Sequence, residues 1–267
     1  MPVLICYCCF LCSCVWCVIL LVTKLTISCF PMFSKALSFL TRAVFPQRCL
    51  QCNNVLSILA QSLCQFCLCS APRLDSIAAQ RAMLLSGTLP TRKTATFRSA
   101  LYFTGPVQIY CYSLKYGGNY SLGVVLGKHF LAPLIVSTLA GQRRPVIVTA
   151  MPVHLWRRFK RGYNQSEALA RGALSGVREA GVDVYYEELL KKTAHRQSQI
   201  NFDPFQRWNN TKGAFRTTKK KRVPRDALIF IIDDTVTTGS SLLRAAEAVL
   251  HNYPKAEVHL LALAQEL

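Results

Sequence analysis

Two carboxylates stand side by side at Asp233-Asp234, at the end of an apolar run, and a stretch of hydroxyls around one glycine follows: Thr235-Val236-Thr237-Thr238-Gly239-Ser240-Ser241. Hydroxyl donors and backbone N–H groups at a helix start suit an anion, phosphate above all, and Gly239 permits close backbone approach and unusual dihedrals. Carboxylates repel phosphate, so Asp233 and Asp234 must serve something else. They suit groups that donate to a carboxylate, such as ribose hydroxyls, or a Mg²⁺ ion. The segment therefore has the makings of a site for a phosphorylated ribose. The plainer alternative is an Asp/Thr-rich helix cap at a sheet edge. A Walker-type loop is excluded, because no Gly-Lys-Ser/Thr occurs.

A second set of residues can bind metal. Cys49-x2-Cys52, then eleven residues, then Cys64-x2-Cys67 places two close thiol pairs at a spacing that surrounds Zn²⁺ tetrahedrally. Cys69 offers itself in place of Cys67. Disulfides or buried free thiols are the alternatives, and a cytoplasmic location disfavours the first. No catalytic Cys/His/Glu arrangement accompanies these residues, so the metal reads as structural. A third set is cationic: Arg157, Arg158, Lys160 and Arg161 follow a strand-like segment that ends at Met151-Pro152.

These sets sit in a strongly basic chain of 267 residues with a net charge of +19. The first 150 residues hold one acid, Asp75, and Lys219-Lys220-Lys221-Arg222 makes a basic loop tip. Such a field draws polyanions: nucleic acid, a membrane surface or phosphorylated metabolites. Half of the residues are apolar (51%), enough to bury a core and to argue against bulk disorder. Val3 to Val22 is an uncharged apolar run, long enough to span a bilayer but without the basic segment that precedes the core of a signal sequence. It reads as an upstream mis-start before Met32, with a membrane anchor as the alternative.

The elements that must position these residues alternate. The pattern predicts an amphipathic helix over 33–45, the cysteine module over 46–70 and a linker over 71–95. It then predicts a strand at Ser99–Phe103, a helix over Val107–Leu114, a turn signal at Lys115-Tyr116-Gly117-Gly118 and a long apolar helix over Leu122–Leu139. A buried strand follows at Val146–Val148. A helix over Asn164–Ala180 has Asn164 as cap and Glu167 placed as in a capping box. The last elements are strands at Val182–Tyr186 and Leu228–Ile232, a helix over Ser240–Leu250 and a strand at Val258–Leu263. The continuous apolar run Leu228–Ile232 suits a central parallel strand. The order implies an α/β domain, residues 96–267, with a parallel sheet, preceded by a small four-cysteine module and linker at 32–95 and a leader at 1–31.

The acid pair and its hydroxyl-glycine loop resemble the diphosphoribose-binding motif of the type I phosphoribosyltransferases. The chain is more similar still to one branch, the ComF family of competence-associated proteins. The resemblance runs from about Met32 to the end. It includes Leu114-Lys115-Tyr116-Gly117-Gly118, Met151-Pro152-Val153, Arg161-Gly162-Tyr163-Asn164-Gln165, Arg196-Gln197-Ser198-Gln199 and Asn210-Thr211-Lys212-Gly213-Ala214-Phe215. The family usually has Phe where Tyr163 stands, and Val-Pro-Val-Pro where this chain has Val-Thr-Ala-Met-Pro-Val. The resemblance implies a type I fold binding phosphoribosyl pyrophosphate with Mg²⁺. Asp233 and Asp234 would be catalytic. Thr235, Thr237, Thr238, Gly239, Ser240 and Ser241 would hold the 5′-phosphate, and Arg157, Arg158 and Arg161 would face the departing pyrophosphate. Thr193–Asn210, with Arg196, Gln197, Gln199 and Arg207, stands where such enzymes carry a flexible hood. The family is associated with DNA uptake in natural transformation. Two function classes follow: a cytoplasmic transferase of ribose phosphate to an unspecified acceptor, or a non-catalytic accessory that binds single-stranded DNA and works with DNA-uptake proteins. A membrane-anchored scaffold rests on residues 3–22 alone.

Overall fold

The computed structural model describes residues 46–57, 62–74, 95–139, 141–142, 144–193, 214–218 and 223–266. The leader, the expected helix over 33–45, most of the linker, the expected hood from residue 194 onward and the Lys219–Arg222 tip lie outside the described residues. The chain divides into two compact units, Met1–Arg48 with Val55–Ala60, and Cys49–Asn54 with Gln61–Leu267. In the first, Arg48 and Val55 form an isolated antiparallel bridge and the Leu56 N–H donates to the Gln47 carbonyl at 2.7 Å. All that follows concerns the second.

Its elements run α1 (Gln65–Cys69), β1 (Ala95–Tyr102), α2 (Gly105–Tyr116), α3 (Tyr120–Leu139), β2 (Val146–Ala150), α4 (Leu155–Arg161), α5 (Gln165–Glu179), β3 (Val184–Tyr186), β4 (Leu190–Lys192), β5 (Phe215–Thr217), β6 (Leu228–Val236), α6 (Ser240–Asn252) and β7 (Glu257–Gln265). Five strands form one sheet in the order β1-β7-β6-β2-β3, every neighbouring pair parallel. The fold class is thus α/β. The apolar run predicted as a central strand is central: β6 lies between β7 and β2, and Leu228 to Ile232 are all buried.

The long apolar helix predicted over Leu122–Leu139 is α3. It begins two residues earlier, where Asn119 Oδ1 accepts from the Leu122 N–H at 3.1 Å, and it contains a π turn over Gly127–Leu131. Length and mean hydropathy (1.6) would let it cross a membrane, yet half of it is buried within the protein. Its small residues explain its place: a Cβ on Gly127 would stand 2.0 Å from the Leu169 carbonyl oxygen of α5, and one on Gly172 of α5 would stand 2.0 Å from the Val124 carbonyl oxygen. The two helices meet backbone to backbone, so α3 serves as a core helix. Adding one methyl here overpacks a rigid contact. We expect Gly172→Ala to cost about 3 kcal/mol, read as a fall in the chemical-denaturation midpoint without loss of secondary structure.

Three differences from the sequence-based expectations have local causes. Residues 155–161, for which no element was predicted, form a helix: His154 Nδ1 accepts from the Trp156 N–H, and Gly162, at φ +78°, ends the helix in the left-handed region. Asn164 caps α5 as predicted, accepting from the Ser166 N–H at 3.1 Å, but Glu167 pairs with Arg171 at 3.5 Å and Arg158 at 4.0 Å. The basic neighbourhood draws the carboxylate that a capping box would use. Finally, β4 and β5 pair antiparallel, Lys192 opposite Phe215, which no period-two run announced.

Candidate functional site

β6 carries Asp233 and Asp234 at its carboxyl end, the edge where ligands bind in open α/β sheets. They border a cleft of about 800 Å³ whose walls come from α2, the β2–α5 segment, the β4/β5 pair and the loop into α6. Asp233 Oδ1 accepts from Ser166 Oγ and from the Asp234 N–H, both at 2.9 Å. Burial, followed by the neighbouring Asp234 charge, pushes the Asp233 carboxyl up to about 7. Asp234 Oδ1 accepts from the Thr235 N–H at 2.8 Å, and Asp234 Oδ2 meets Lys115 Nζ at 3.2 Å. Lys115, in the last turn of α2, also donates to Thr235 Oγ1 at 2.9 Å. The acid pair thus holds one carboxyl paired with an ammonium, Asp234, and one held by neutral donors, Asp233.

The predicted loop turns as its glycine requires. Gly239 has φ +74° and leads directly into α6, whose N-cap position supplies no side-chain acceptor. The N–H groups of the first turn of this thirteen-residue helix are therefore left for another acceptor. Thr238 Oγ1 and Ser240 Oγ lie 2.9 Å apart. Thr235 and Ser241 line the cleft at the two ends of the loop.

The basic set divides. Arg157, Lys160 and Arg161 line the cleft, and Arg161 lies over the Tyr116 ring at 5.6 Å. Arg158 reaches instead toward Glu167. None of α4 is buried: Leu155 is 79%, Trp156 68% and Phe159 82% exposed, and the Trp156 and Phe159 rings stack at 6.2 Å between centroids. Reasoning from residue types missed Lys115, Ser166 and Lys192 as cleft residues. Lys115 was read as part of a turn signal and Ser166 as the first turn of a capped helix. Lys192 carried no signal at all, because its place depends on the β4/β5 pairing. Tyr163, where Phe is usual, donates its hydroxyl to the Leu114 carbonyl at 2.6 Å and so ties the α4–α5 turn to α2.

The four cysteines come together. The Sγ atoms of Cys49, Cys52, Cys64 and Cys67 all lie within 4.8 Å of one another. Cys52 and Cys64 sulfurs are 3.7 Å apart. Tetrahedral thiolate coordination at about 2.3 Å sets sulfurs about 3.8 Å apart, whereas a disulfide needs about 2.05 Å. The Cys64 N–H points at Cys49 Sγ and the Cys67 N–H at Cys64 Sγ, as expected where sulfur carries charge. Burial opposes ionisation of Cys49, but backbone N–H groups of Cys52, Cys64 and Gln51 bring its thiol down to about 6, while burial and the other three sulfurs push Cys67 up. Four such thiolates need a cation between them, so the group could hold a metal ion and is compatible with structural Zn²⁺. Cys69 stands outside it, exposed, accepting from Gln65 Nε2.

No protein-family model matches the chain. Among curated proteins, the chain is 24% identical over 152 residues to DNA utilization protein YhgH of Salmonella typhimurium, covering 56% of this chain and 63% of the relative, and the Salmonella typhi protein of that name matches to the same extent. Competence protein F of Haemophilus influenzae is 26% identical over 98 residues, 37% of this chain and 41% of the relative. These relatives support a ComF-family relationship. The aligned part spans less than two thirds of the length of these relatives. Three of the ComF-like motifs converge on the cleft, through Lys115 and Gly118, through Met151-Pro152-Val153, and through Arg161 and Gln165; Phe215 brings the end of a fourth.

Proposed function

We propose that this chain is a phosphoribosyltransferase-like protein that binds phosphoribosyl pyrophosphate with Mg²⁺ and serves DNA uptake or use, as the names of its relatives suggest. One observation carries the reading: an acid pair at the end of the central strand runs through a left-handed glycine into an uncapped helix start. The first-turn N–H groups and hydroxyls from Thr237 to Ser241 hold the 5′-phosphate. Asp233 and Asp234 accept from the ribose hydroxyls. Arg157, Lys160 and Arg161 face the diphosphate and stabilise the charge it gains as its bond to the ribose breaks. Bound Mg²⁺ would neutralise the diphosphate before that step. Zn²⁺ on the four thiolates is structural, in keeping with a cytoplasmic body whose cysteines stay reduced.

A second reading, a non-catalytic accessory for single-stranded DNA, has its own support. On α4, stacked Trp156 and Phe159 alternate with Arg157, Lys160 and Arg161, and exposed rings beside cations are how proteins bind single strands without reading sequence.

Titration calorimetry decides. Asp234→Asn keeps size and removes charge, so the fold should survive while affinity for phosphoribosyl pyrophosphate falls about ten- to a hundredfold, the worth of one hydrogen bond to a charged group. Ribose 5-phosphate should compete, because it carries the half that the loop and acids recognise. If the parent binds single-stranded DNA with a steep salt dependence but neither ribose phosphate, the accessory reading replaces the first.

A further inference from the structure

The metal cluster and the cleft share a wall. The cleft takes Lys115, Tyr116 and Gly118 from the end of α2 and the turn that follows it. Ahead of that stretch, Tyr110 of α2 is fully buried and donates its hydroxyl to Gln51 Oε1, and Gln51 stands between Cys49 and Cys52. Beyond it, Asn119 Oδ1, which caps α3, accepts from Ser62 Oγ at 3.1 Å, and the Ser62 carbonyl accepts from the Leu50 N–H at 2.9 Å. The four-cysteine knuckle therefore grips the polypeptide on both sides of the Lys115–Gly118 wall. Within the wall, the Gly117 N–H donates to the Ser113 carbonyl at 2.9 Å and the Tyr120 N–H to the Gly118 carbonyl at 3.1 Å. The wall also carries the ammonium of Lys115 that faces Asp234.

We propose that Gln51 and Ser62 are positioning residues: through Tyr110 and Asn119 the metal-loaded knuckle holds the Lys115–Gly118 wall, so metal binding and ribose-phosphate binding reinforce each other. The cluster is then more than a staple for a short segment. Two thiolate pairs drawn onto one ion fix Gln51 and Ser62 relative to each other, and an opened knuckle releases both grips at once. Linkage makes the coupling reciprocal: a ligand that needs the wall in place must slow metal loss by the factor by which metal improves its own binding. The binding arm of this inference rests on the reading of the cleft as a ribose-phosphate site; the grip on the wall does not.

The test uses the full chain loaded with Zn²⁺ and the double variant Gln51→Ala/Ser62→Ala, which keeps all four cysteines and alters no residue of the cleft. Two measurements are made. The first is hydrogen exchange at the Gly117 and Tyr120 amides. We expect both to exchange faster in the variant, by about tenfold, with the α5 and α6 amides unmoved. Unchanged exchange there overturns the proposal, whether or not any ligand binds. The second is the rate of Zn²⁺ release to a chromogenic chelator, with and without saturating ribose 5-phosphate. Protection of about fivefold in the parent and none in the variant supports the coupling, at the low end of typical coupling factors. Equal protection in both proteins overturns it. Should ribose 5-phosphate fail to bind the parent, the reading of the cleft falls, and the exchange measurement alone decides whether the knuckle holds the wall. A double-mutant cycle of Gln51→Ala with Tyr110→Phe completes the test: the two changes must be non-additive in the exchange rates, and additive effects would mean that each acts by itself.

Discussion

Replacing Gly239 with valine will abolish binding of phosphoribosyl pyrophosphate while the sheet and its helices remain folded. Gly239 sits at φ +74°, between the last residues of β6 and the first turn of α6. That left-handed region costs an ordinary residue about 1–2 kcal/mol, and a β-branched side chain is a true outlier in it. The loop relieves the strain by turning its peptide planes, and the N–H groups ahead of α6 then no longer point at one place. A bound phosphate loses several bonds together. Each bond to a charged group contributes about 1.5–3 kcal/mol, so losing three weakens binding about a thousandfold or more. The fold itself need only absorb the strain, because the helix keeps its bond from the Leu243 N–H to the Gly239 carbonyl. Calorimetry with ligand and Mg²⁺ measures the first effect and circular dichroism the second. Gly239→Asn is the control, since asparagine tolerates the left-handed region and should keep most of the affinity. A valine variant that binds within threefold of the parent would reduce the loop to a helix cap and remove the basis of the functional proposal.

The second large effect concerns the metal. Freshly reduced protein should carry about one Zn²⁺ per chain, and Cys64→Ser should carry none. Cys64 is central to the knuckle: its sulfur faces Cys52 at 3.7 Å, and it caps α1 by accepting from the Cys67 N–H. A metal present at about a thousandfold over its dissociation constant stabilises the folded chain by about 4 kcal/mol. Losing that much should lower the melting temperature by about 8–16 °C for a chain of this size, and a chelator should do the same to the parent. Metal analysis finding no zinc in the parent, or an unchanged melting temperature after the metal is stripped, would refute the structural role. The helix α1, five residues long, is too short to persist on propensity alone, so the thiolate cluster must hold it.

What could be read without coordinates was what consecutive residues encode. Leu228–Ile232 had to be a buried strand, because five apolar residues in a row have no polar face to show to water. The acids, hydroxyls and Gly239 that follow it share one strand-loop-helix unit, so their chemistry was legible as a unit. The cysteine pairs were legible for a similar reason: within each pair the ligands are close along the chain, and thiolate chemistry leaves few uses for that spacing. The tertiary structure decided everything that depends on residues far apart. Lys115 reaches Thr235 across 120 positions and Ser166 reaches Asp233 across 67, and neither has a local signal. Gly127 and Gly172 have no local use within a helix; only the backbone-to-backbone approach of α3 and α5 requires them. Residues 155–161 hold three apolar residues, Leu155, Trp156 and Phe159, yet their helix buries none of them, so its existence rests on the His154 cap and the Gly162 stop. The knuckle and the cleft, read from separate segments, share a wall through Tyr110 and Asn119. Covalent neighbours and simple periodicity are written in the sequence; which distant side chains meet is chosen by the packing that buries α3, α5 and the sheet together.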